Sequence, residues 1–386
     1  MKEKILFVCQ RYGTEVNGGA ETECREYAER LCAYYDVEVL TTCALDHVTW
    51  SNYFPAGVSE LNGVTVRRYP TDCKRSENFG DLTAAVRQNH SFTDERAWID
   101  AQGPVCAAMI DYLGQHGGEY KAVIFMTYLY YSTVQGILTD CGTKILIPTA
   151  HDEWPIYLRV FDLVFSMADK LIFNSEGEKR FVYRRFADME KKSSVVVGAG
   201  VVYPTKELPD VQERFGLSDP YVCYCGRVEP AKGCEVLFRY FLEYKRRHPG
   251  ALRLVLTGKA AMEIPEDPDI LPLGFVSEEE KFAVMQSARF LIQPSFLESL
   301  SIVTLESMMM GRPVLVNGSC EVLRDHIIMS NAGLYYTNYY EFEACLEYFF
   351  TQTEAYEQMC ENGRRYVKEH YEWDGIIEKI HRLIEE

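Results

Sequence analysis

Two hydrophobic patterns take turns along the chain. Short, nearly unbroken apolar runs occur at Ile5–Cys9, Val37–Thr41, Val123–Met126, Lys144–Pro148, Lys170–Asn174 and Ser194–Val197, with helix-length segments between several of them. A run with no polar alternation has no face to offer water, so each predicts a strand covered on both sides, and alternation with helices predicts a parallel sheet. Helices are expected from about Ala20 to Tyr34 and from Ser175, where S-E-G-E places Glu178 as the far half of a capping box. The pattern then pauses at Gly198–Asp210, GAGVVYPTKELPD, where Gly and Pro cluster without periodicity. It restarts with Tyr221–Cys225, a helix from about Gly233 to Arg247, Leu252–Gly258, a short strand near Leu271, Arg289–Pro294 and Pro313–Asn317. Ser277 and Glu280 form a second capping box, before an expected amphipathic helix. From Glu341 onward the pattern is helical.

The reading is an α/β chain with two doubly wound, Rossmann-like parallel sheets. The expected division is 1–200, 201–370, and a closing helix 371–386 that returns to the first domain. Length agrees, since 386 residues exceed one ordinary core. Such sheets bind ligands beyond the C-terminal ends of their strands, so the site is expected where the two domains face each other. Residues 43–105 break the alternation and read as an irregular excursion. Trp50, Tyr53, Phe54 and Trp98 argue against disorder there, and the expected role is shaping a binding surface.

Composition removes several classes. A net charge of −17 excludes a general nucleic-acid footprint, so any anion needs a dedicated local site. The thirteen cysteines contain no CxxC pair, and several sit inside apolar runs, which reads as reduced, buried thiols. The opening MKEKILFVCQR is too short in apolar residues for a secretory core, and no run reaches membrane-span length. The expectation is a cytoplasmic protein.

Chemistry concentrates in two stretches. In QPSFLESLSIVTLESMMMG, Glu298 and Glu306 bracket Ser299–Leu305. On one helix, eight residues would rise roughly 12 Å, too far for a catalytic carboxylate pair but suited to gripping two ends of one elongated ligand. Ser299 or Ser301 would cap a helix starting between the acids, and its free N–H groups would favour an anion. In CGRVEPAKG, Arg227 and Lys232 follow a strand and precede a helix. Two cations facing a helix N-terminus describe a diphosphate cradle, and a carboxylate at each end makes the ligand a nucleotide sugar.

Gly226-Arg227 with Lys232-Gly233, and Glu298 followed by Glu306, resemble the signature of family 4 glycosyltransferases of GT-B architecture. NGGAE (Asn17–Glu21), HDEWP, FNSEGEKR, GAGV and LGFVSEEE fall in family order. The resemblance implies that Arg227 and Lys232 neutralise the donor diphosphate and Glu306 accepts from the ribose hydroxyls. Glu298 would bind the transferred sugar, and Gly226, beside Arg227, would help bind the donor. It implies that the amides around Leu300, Ser301 and Ile302 hold the distal phosphate, and that Phe275 and Val276 lie against the base. His151 would contact the sugar near the reacting carbon, and Gly18 and Gly19 would admit donor phosphate and acceptor. It further implies a retaining, metal-independent enzyme using a UDP-, GDP- or ADP-sugar and a saccharide or lipid-linked acceptor, in surface polysaccharide or glycolipid synthesis. One departure stands out: Ser299 occupies the place where many relatives have glycine.

Blander readings remain beside these. His151 can be a structural histidine, and no GxSxG motif supports a triad with Asp152. The Met308–Met310 triplet reads as core. Lys179–Lys192 is either a solvated basic face or a peripheral membrane contact. Two other functions stay open, a nucleotide-sugar hydrolase or epimerase of the same architecture, and a non-catalytic nucleotide-sugar binder.

Overall fold

The computed structural model describes residues 2–16, 18–218 and 220–386. The chain forms two compact units, residues 1–199 with 376–386, and residues 200–375.

The first unit contains β1 (Lys4–Val8), α1 (Gly19–Leu31), β2 (Asp36–Thr42), β3 (Gly57–Leu61), β4 (Val64–Tyr69), α2 (Phe79–Val86), α3 (Phe92–Gln102) and α4 (Ala107–His116). It continues through β5 (Ala122–Met126), α5 (Tyr131–Gly136), β6 (Thr143–Ile147), α6 (Arg159–Met167), β7 (Lys170–Phe173), α7 (Glu176–Arg185) and β8 (Ser193–Val196). Its sheet runs β3-β4-β2-β1-β5-β6-β7-β8, parallel except for the antiparallel edge pair β3–β4. The unbroken apolar runs are fully covered, as Ile5, Leu6, Phe7 and Val8 show.

Residues 43–105 are regular in part, while 43–56 and 70–78 run without helix or strand between the neighbouring elements. The regular part is the β3–β4 hairpin and helices α2 and α3. Asn62 and Gly63 take positive φ at the hairpin turn, and Val64 and Val66 alternate inward. Asn-Gly between such strands is a strong hairpin signal. Trp50 and Trp98 are core residues whose indole N–H groups donate to Gln102 O (2.7 Å) and Thr83 Oγ1 (2.9 Å).

The second unit contains α8 (Val211–Phe215), β9 (Tyr221–Cys225), α9 (Cys234–Arg247), β10 (Arg253–Thr257), β11 (Ile270–Gly274), α10 (Glu278–Ser287) and β12 (Leu291–Gln293). It ends with α11 (Ile302–Met309), β13 (Val314–Asn317), α12 (Glu321–Ser330), β14 (Gly333–Tyr336), α13 (Tyr339–Thr351) and α14 (Thr353–His370). The last helix, α15 (Trp373–Glu385), carries the chain back into the first unit. The second sheet runs β11-β10-β9-β12-β13-β14 with every pair parallel. Strand order reverses between β9 and β12, and this is where a doubly wound sheet opens a crevice for ligand.

Both capping motifs form, one in full. Ser277 and Glu280 bond reciprocally and start α10, whose buried residues are the consecutive Phe282–Met285 rather than an amphipathic stripe. Ser175 accepts from Glu178 N, but the Glu178 carboxylate turns away to accept from Ala150 N (2.5 Å) and Asn174 N (2.6 Å). Glu178 therefore ties the ends of β6 and β7 to α7.

A second buried acid, Glu23, supports a pH prediction. The Tyr27 hydroxyl lies 2.9 Å from Glu23 Oε1 and 2.7 Å from Gly198 O, and Asn174 Nδ2 is 3.1 Å from Glu23 Oε2. One phenolic proton cannot serve two acceptors. A protonated Glu23 resolves this by donating to the phenol oxygen, which donates on to Gly198. Burial pushes Glu23 from 4.5 up to about 7, against the opposing bonds from Tyr27 and Asn174. Between those values the folded chain holds a proton that the unfolded chain has released, so stability falls as pH rises through the window. Glu23→Gln, which imitates the neutral acid, is expected to flatten part of the decline between pH 5 and 8, roughly 1–3 kcal/mol. Thermal unfolding of both proteins across that range tests it. An unchanged slope in the variant would assign the proton elsewhere.

All thirteen cysteines are free thiols, and most are buried.

Candidate nucleotide-sugar site

The second unit gathers most of the predicted residues around the reversal between β9 and β12. The β9 loop is held from three sides. Gly226 N donates to Thr257 O (2.9 Å), the Tyr224 hydroxyl donates to Arg227 O (2.7 Å), and Val228 N donates to Lys259 O (3.0 Å). Gly233 closes the loop at φ 76°, where a Cβ would lie 2.2 Å from Pro294 O. Only glycine lets this loop approach the end of β12 so closely.

That approach places Lys232 beside the acid after β12. Lys232 Nζ donates to Glu298 Oε1 at 2.8 Å, and Gln293 Nε2 adds a longer bond to the same oxygen at 3.4 Å. Arg227 Nη1 is 3.4 Å from Glu229 Oε2. Each expected phosphate-binding cation is thus already beside a carboxylate, rather than facing a helix N-terminus alone. Both side chains remain partly open to solvent, Arg227 by 52% and Lys232 by 35%, so an incoming diphosphate can reach them.

Glu298 and Glu306 do not share one helix. Glu298 sits in the loop and α11 begins at Ile302, so the helix starts between the acids as expected, and the rise of a single helix does not set their separation. Ser301 stands at the N-cap, with φ 67°, but its hydroxyl does not cap the backbone. It pairs with Gln293 Nε2 (3.0 Å) and Thr304 Oγ1 (2.9 Å) instead. Ser301 thereby pins the loop to β12. Leu300 is buried, and its carbonyl accepts from His326 Nε2 at 2.8 Å. Burial lowers the His326 pKa, and a neutral ring needs Nδ1 as acceptor, here from the Tyr366 hydroxyl at 3.0 Å. The Leu300–Ser301–Ile302 backbone is thus set by side chains of β12, α12 and α14.

Glu306 is buried on α11. Its Oε1 accepts from Lys281 Nζ at 2.7 Å, whereas Oε2 is buried with no hydrogen-bond partner among the described residues. An unsatisfied buried carboxylate oxygen is costly, and in a native site it indicates a missing donor. Phe275, after β11, is 80% exposed, and Val276 is half-buried.

The first unit holds the other predicted residues. Asn17 lies outside the described residues. Gly18 precedes α1, and a Cβ there would lie 2.1 Å from Glu21 Oε2, so the Glu21 carboxylate would have to shift, while Gly19 has open space. Glu21 is itself held by Gln10 Nε2 and Arg11 Nε, both at 2.9 Å, which packs the loop after β1 against α1. His151 Nε2 is 3.5 Å from Glu153 Oε2, and the Tyr128 hydroxyl donates to Glu153 Oε1 at 2.6 Å. Burial pushes the Glu153 carboxyl up, but His151 and Tyr128 outweigh it and hold it below its ordinary value. The Glu153 carboxylate lies beside the His151 ring and is itself held by Tyr128.

Sequence reasoning missed Lys281, Gln293, His326 and Glu153. Only Glu153 carried a local signal, two residues from His151 in HDEWP. In the basic segment 179–192, Arg185 pairs with Asp162 (2.8 Å), Lys191 with Asp188, and Lys192 donates to Ser166 O (2.8 Å). No helix is long and apolar enough to cross a membrane among the described residues. Nor do three or more of their His, Cys, Asp and Glu side chains gather as a metal site.

Residues 219–346 match the family model for glycosyl transferases group 1. The chain is 30% identical over 185 residues to a D-inositol 3-phosphate glycosyltransferase of Nocardia farcinica, covering 42% of this chain and 41% of that protein. It is 32% identical over 133 residues to an alpha-D-kanosaminyltransferase of Streptomyces kanamyceticus, 30% of this chain and 33% of that one. The chain thus spans less than half the length of these curated relatives. Whole-chain likeness appears in solved structures. Sucrose-phosphate synthase of Thermosynechococcus elongatus superposes with a TM-score of 0.70 at 17% identity, covering 99% of this chain and 98% of that one. The Anabaena protein HepE, solved with UDP and glucose, gives 0.71 at 14% identity, covering 99% of each.

The resemblance to glycosyltransferases of GT-B architecture is borne out, by sequence over residues 219–346 and by fold over the whole chain. Family 4 is consistent with both.

Proposed function

We propose that the protein is a retaining glycosyltransferase that moves a sugar from a nucleoside diphosphate to an acceptor hydroxyl. The observation that carries this reading is the buried, unpartnered Oε2 of Glu306 in the unit that brings Lys232 to Glu298 beside the β9–β12 reversal. A ribose hydroxyl supplies the donor Oε2 lacks. The diphosphate then reaches Arg227 and Lys232, and the sugar hydroxyls reach Glu298. As the bond to the sugar breaks, negative charge builds on the leaving diphosphate, and the cations that have closed on the bound donor stabilise it. Lys232 moves toward the phosphate when it arrives, which releases Glu298 Oε1 for the sugar. The Leu300–Ile302 amides would hold the distal phosphate, Phe275 and Val276 the base, and His151 the sugar near the reacting carbon. Gly18 and Gly19 would leave backbone space for donor phosphate and acceptor. Turnover is proposed to need no metal.

HepE was solved with UDP and glucose, which favours a UDP-sugar as the first donor to try. The acceptor is proposed to be a saccharide or a lipid-linked saccharide. A surface polysaccharide or glycolipid role, cytoplasmic residence and peripheral membrane contact through 179–192 extend the same reading. The paired state of Arg185, Lys191 and Lys192 weighs against the membrane contact.

The test is incubation with UDP-, GDP- and ADP-sugars, with and without an acceptor panel, in chelator. Glycosylated product with the donor's anomeric configuration, read by proton NMR, is expected. Free sugar or an isomer from donor alone would identify a hydrolase or epimerase, and inverted product would overturn the retaining assignment. Binding without turnover would favour a non-catalytic binder.

A further inference from the structure

Lys281 lies on α10 and donates to the carboxylate that the proposed function assigns to the ribose. Its ammonium is 2.7 Å from Glu306 Oε1, 3.5 Å from Glu278 Oε1, and 4.6 Å from the centre of the Phe282 ring. The reciprocal cap of Ser277 and Glu280 sets where α10 starts, and Lys281 N donates to Ser277 O at 2.9 Å, so its first turn is well determined. Lys281 and Glu306 are both largely buried, at 21% and 10% side-chain exposure. A free carboxylate has two equivalent oxygens and can take both hydroxyls of a ribose diol, one on each. Here the oxygens are not equivalent.

We propose that Lys281 is a positioning residue for nucleotide recognition. By holding Glu306 Oε1 it leaves Oε2 as the carboxylate oxygen that meets the ribose, so that one of the two ribose hydroxyls carries most of the discrimination.

Lys281 has a second effect through charge. Burial pushes the Glu306 carboxyl up, and the Lys281 ammonium opposes that rise. The other titratable groups facing the pair are Glu278, which raises Glu306, and the Cys225 thiol at the end of β9, which acts on Lys281. Without the ammonium, Glu306 stays protonated further toward neutral pH. A neutral acid is a weaker acceptor than a carboxylate. This inference rests on the nucleotide-sugar reading of the second unit and adds to it which atom meets the ribose and what keeps it available.

Calorimetric titration of the full chain with UDP, with GDP and ADP beside it, and then with the 2′-deoxy and 3′-deoxy forms of the tightest binder, tests it. For the wild type, loss of one hydroxyl is expected to weaken binding at least roughly tenfold and loss of the other much less. Lys281→Met is expected to even out the two deoxy analogues. Its affinity deficit relative to wild type should be largest at the acid end of the range studied and shrink as pH rises and Glu306 ionises. Lys281→Arg should restore the wild-type pattern. Lys281→Met with Glu306→Gln removes the buried charge altogether and serves as the folded control if Lys281→Met is unstable. In that pair the pH-dependent deficit should vanish while binding stays weak.

Equal losses for both deoxy analogues in the wild type, or a Lys281→Met deficit that is absent or the same at every pH, would overturn the role of Lys281 while leaving the nucleotide reading intact. Failure of the wild type to bind any of the three nucleotides would sink both.

Discussion

Lys232→Ala is expected to lower kcat by about 10²–10³-fold, the usual effect of removing one preorganised stabiliser of a developing anion. The fold should survive. Lys232 is partly solvent-exposed, and Glu298 keeps its bond from Gln293 Nε2 at 3.4 Å. Two consequences separate this from a general loss of binding. Nucleotide affinity should fall much less than turnover, because the charge Lys232 meets is greatest as the diphosphate departs. Arg227→Ala should behave alike, since Arg227 sits on the same loop after β9. Steady-state kinetics on both variants, beside circular dichroism to confirm folding, make the test. Near-normal turnover in both would remove the diphosphate from this loop.

Glu306→Gln carries the second large effect, on binding rather than chemistry. The amide keeps the shape of the side chain but loses the charge, so nucleotide affinity should fall by roughly 1.5–3 kcal/mol, the range for a lost charge-assisted hydrogen bond. The substitution also leaves the Lys281 ammonium to the longer contact with exposed Glu278, and breaking one side of a buried pair costs up to about 3–5 kcal/mol of stability. Calorimetry is therefore to be run well below the variant's unfolding temperature. Unchanged affinity in a folded variant would move the ribose away from α11.

Much of the architecture is legible in single stretches of sequence because it is decided locally. Ile5–Val8 and Tyr221–Cys225 read as strands covered on both faces since they contain no polar alternation, and all nine residues are buried. Ser277 and Glu280 read as a helix start because their reciprocal bonds lie within one turn. The β3–β4 hairpin was legible too, through Asn62-Gly63 and the inward Val64 and Val66, but its exposed first strand and aromatic surroundings masked the alternation. Ser175 and Glu178 mark the limit of local reading. The serine caps as its motif predicts, whereas the glutamate is drawn to the amide of Asn174 just before the cap and to that of Ala150 in another loop.

The candidate site divides along the same line. Arg227, Lys232, Glu298 and Glu306 stand out in the sequence through their spacing, and the neighbouring of β9 and β12 in the sheet explains why Lys232 meets Glu298. Their partners do not stand out. Lys281 is one lysine in a run of glutamates, and His326 is an ordinary helix residue. Their meaning comes from atoms 25 and 26 positions away in the chain, Glu306 Oε1 and Leu300 O.

The sequence by itself determined the strands, most helix starts and the kinds of charged group offered to a ligand, because each follows from hydrophobic period or from bonds within a few residues. Tertiary structure alone decided which oxygen of Glu306 is occupied, which carboxylate Lys232 meets, and how the backbone at Leu300 is turned. A buried charge takes whatever partner the packed fold brings within reach, and no local pattern records that choice.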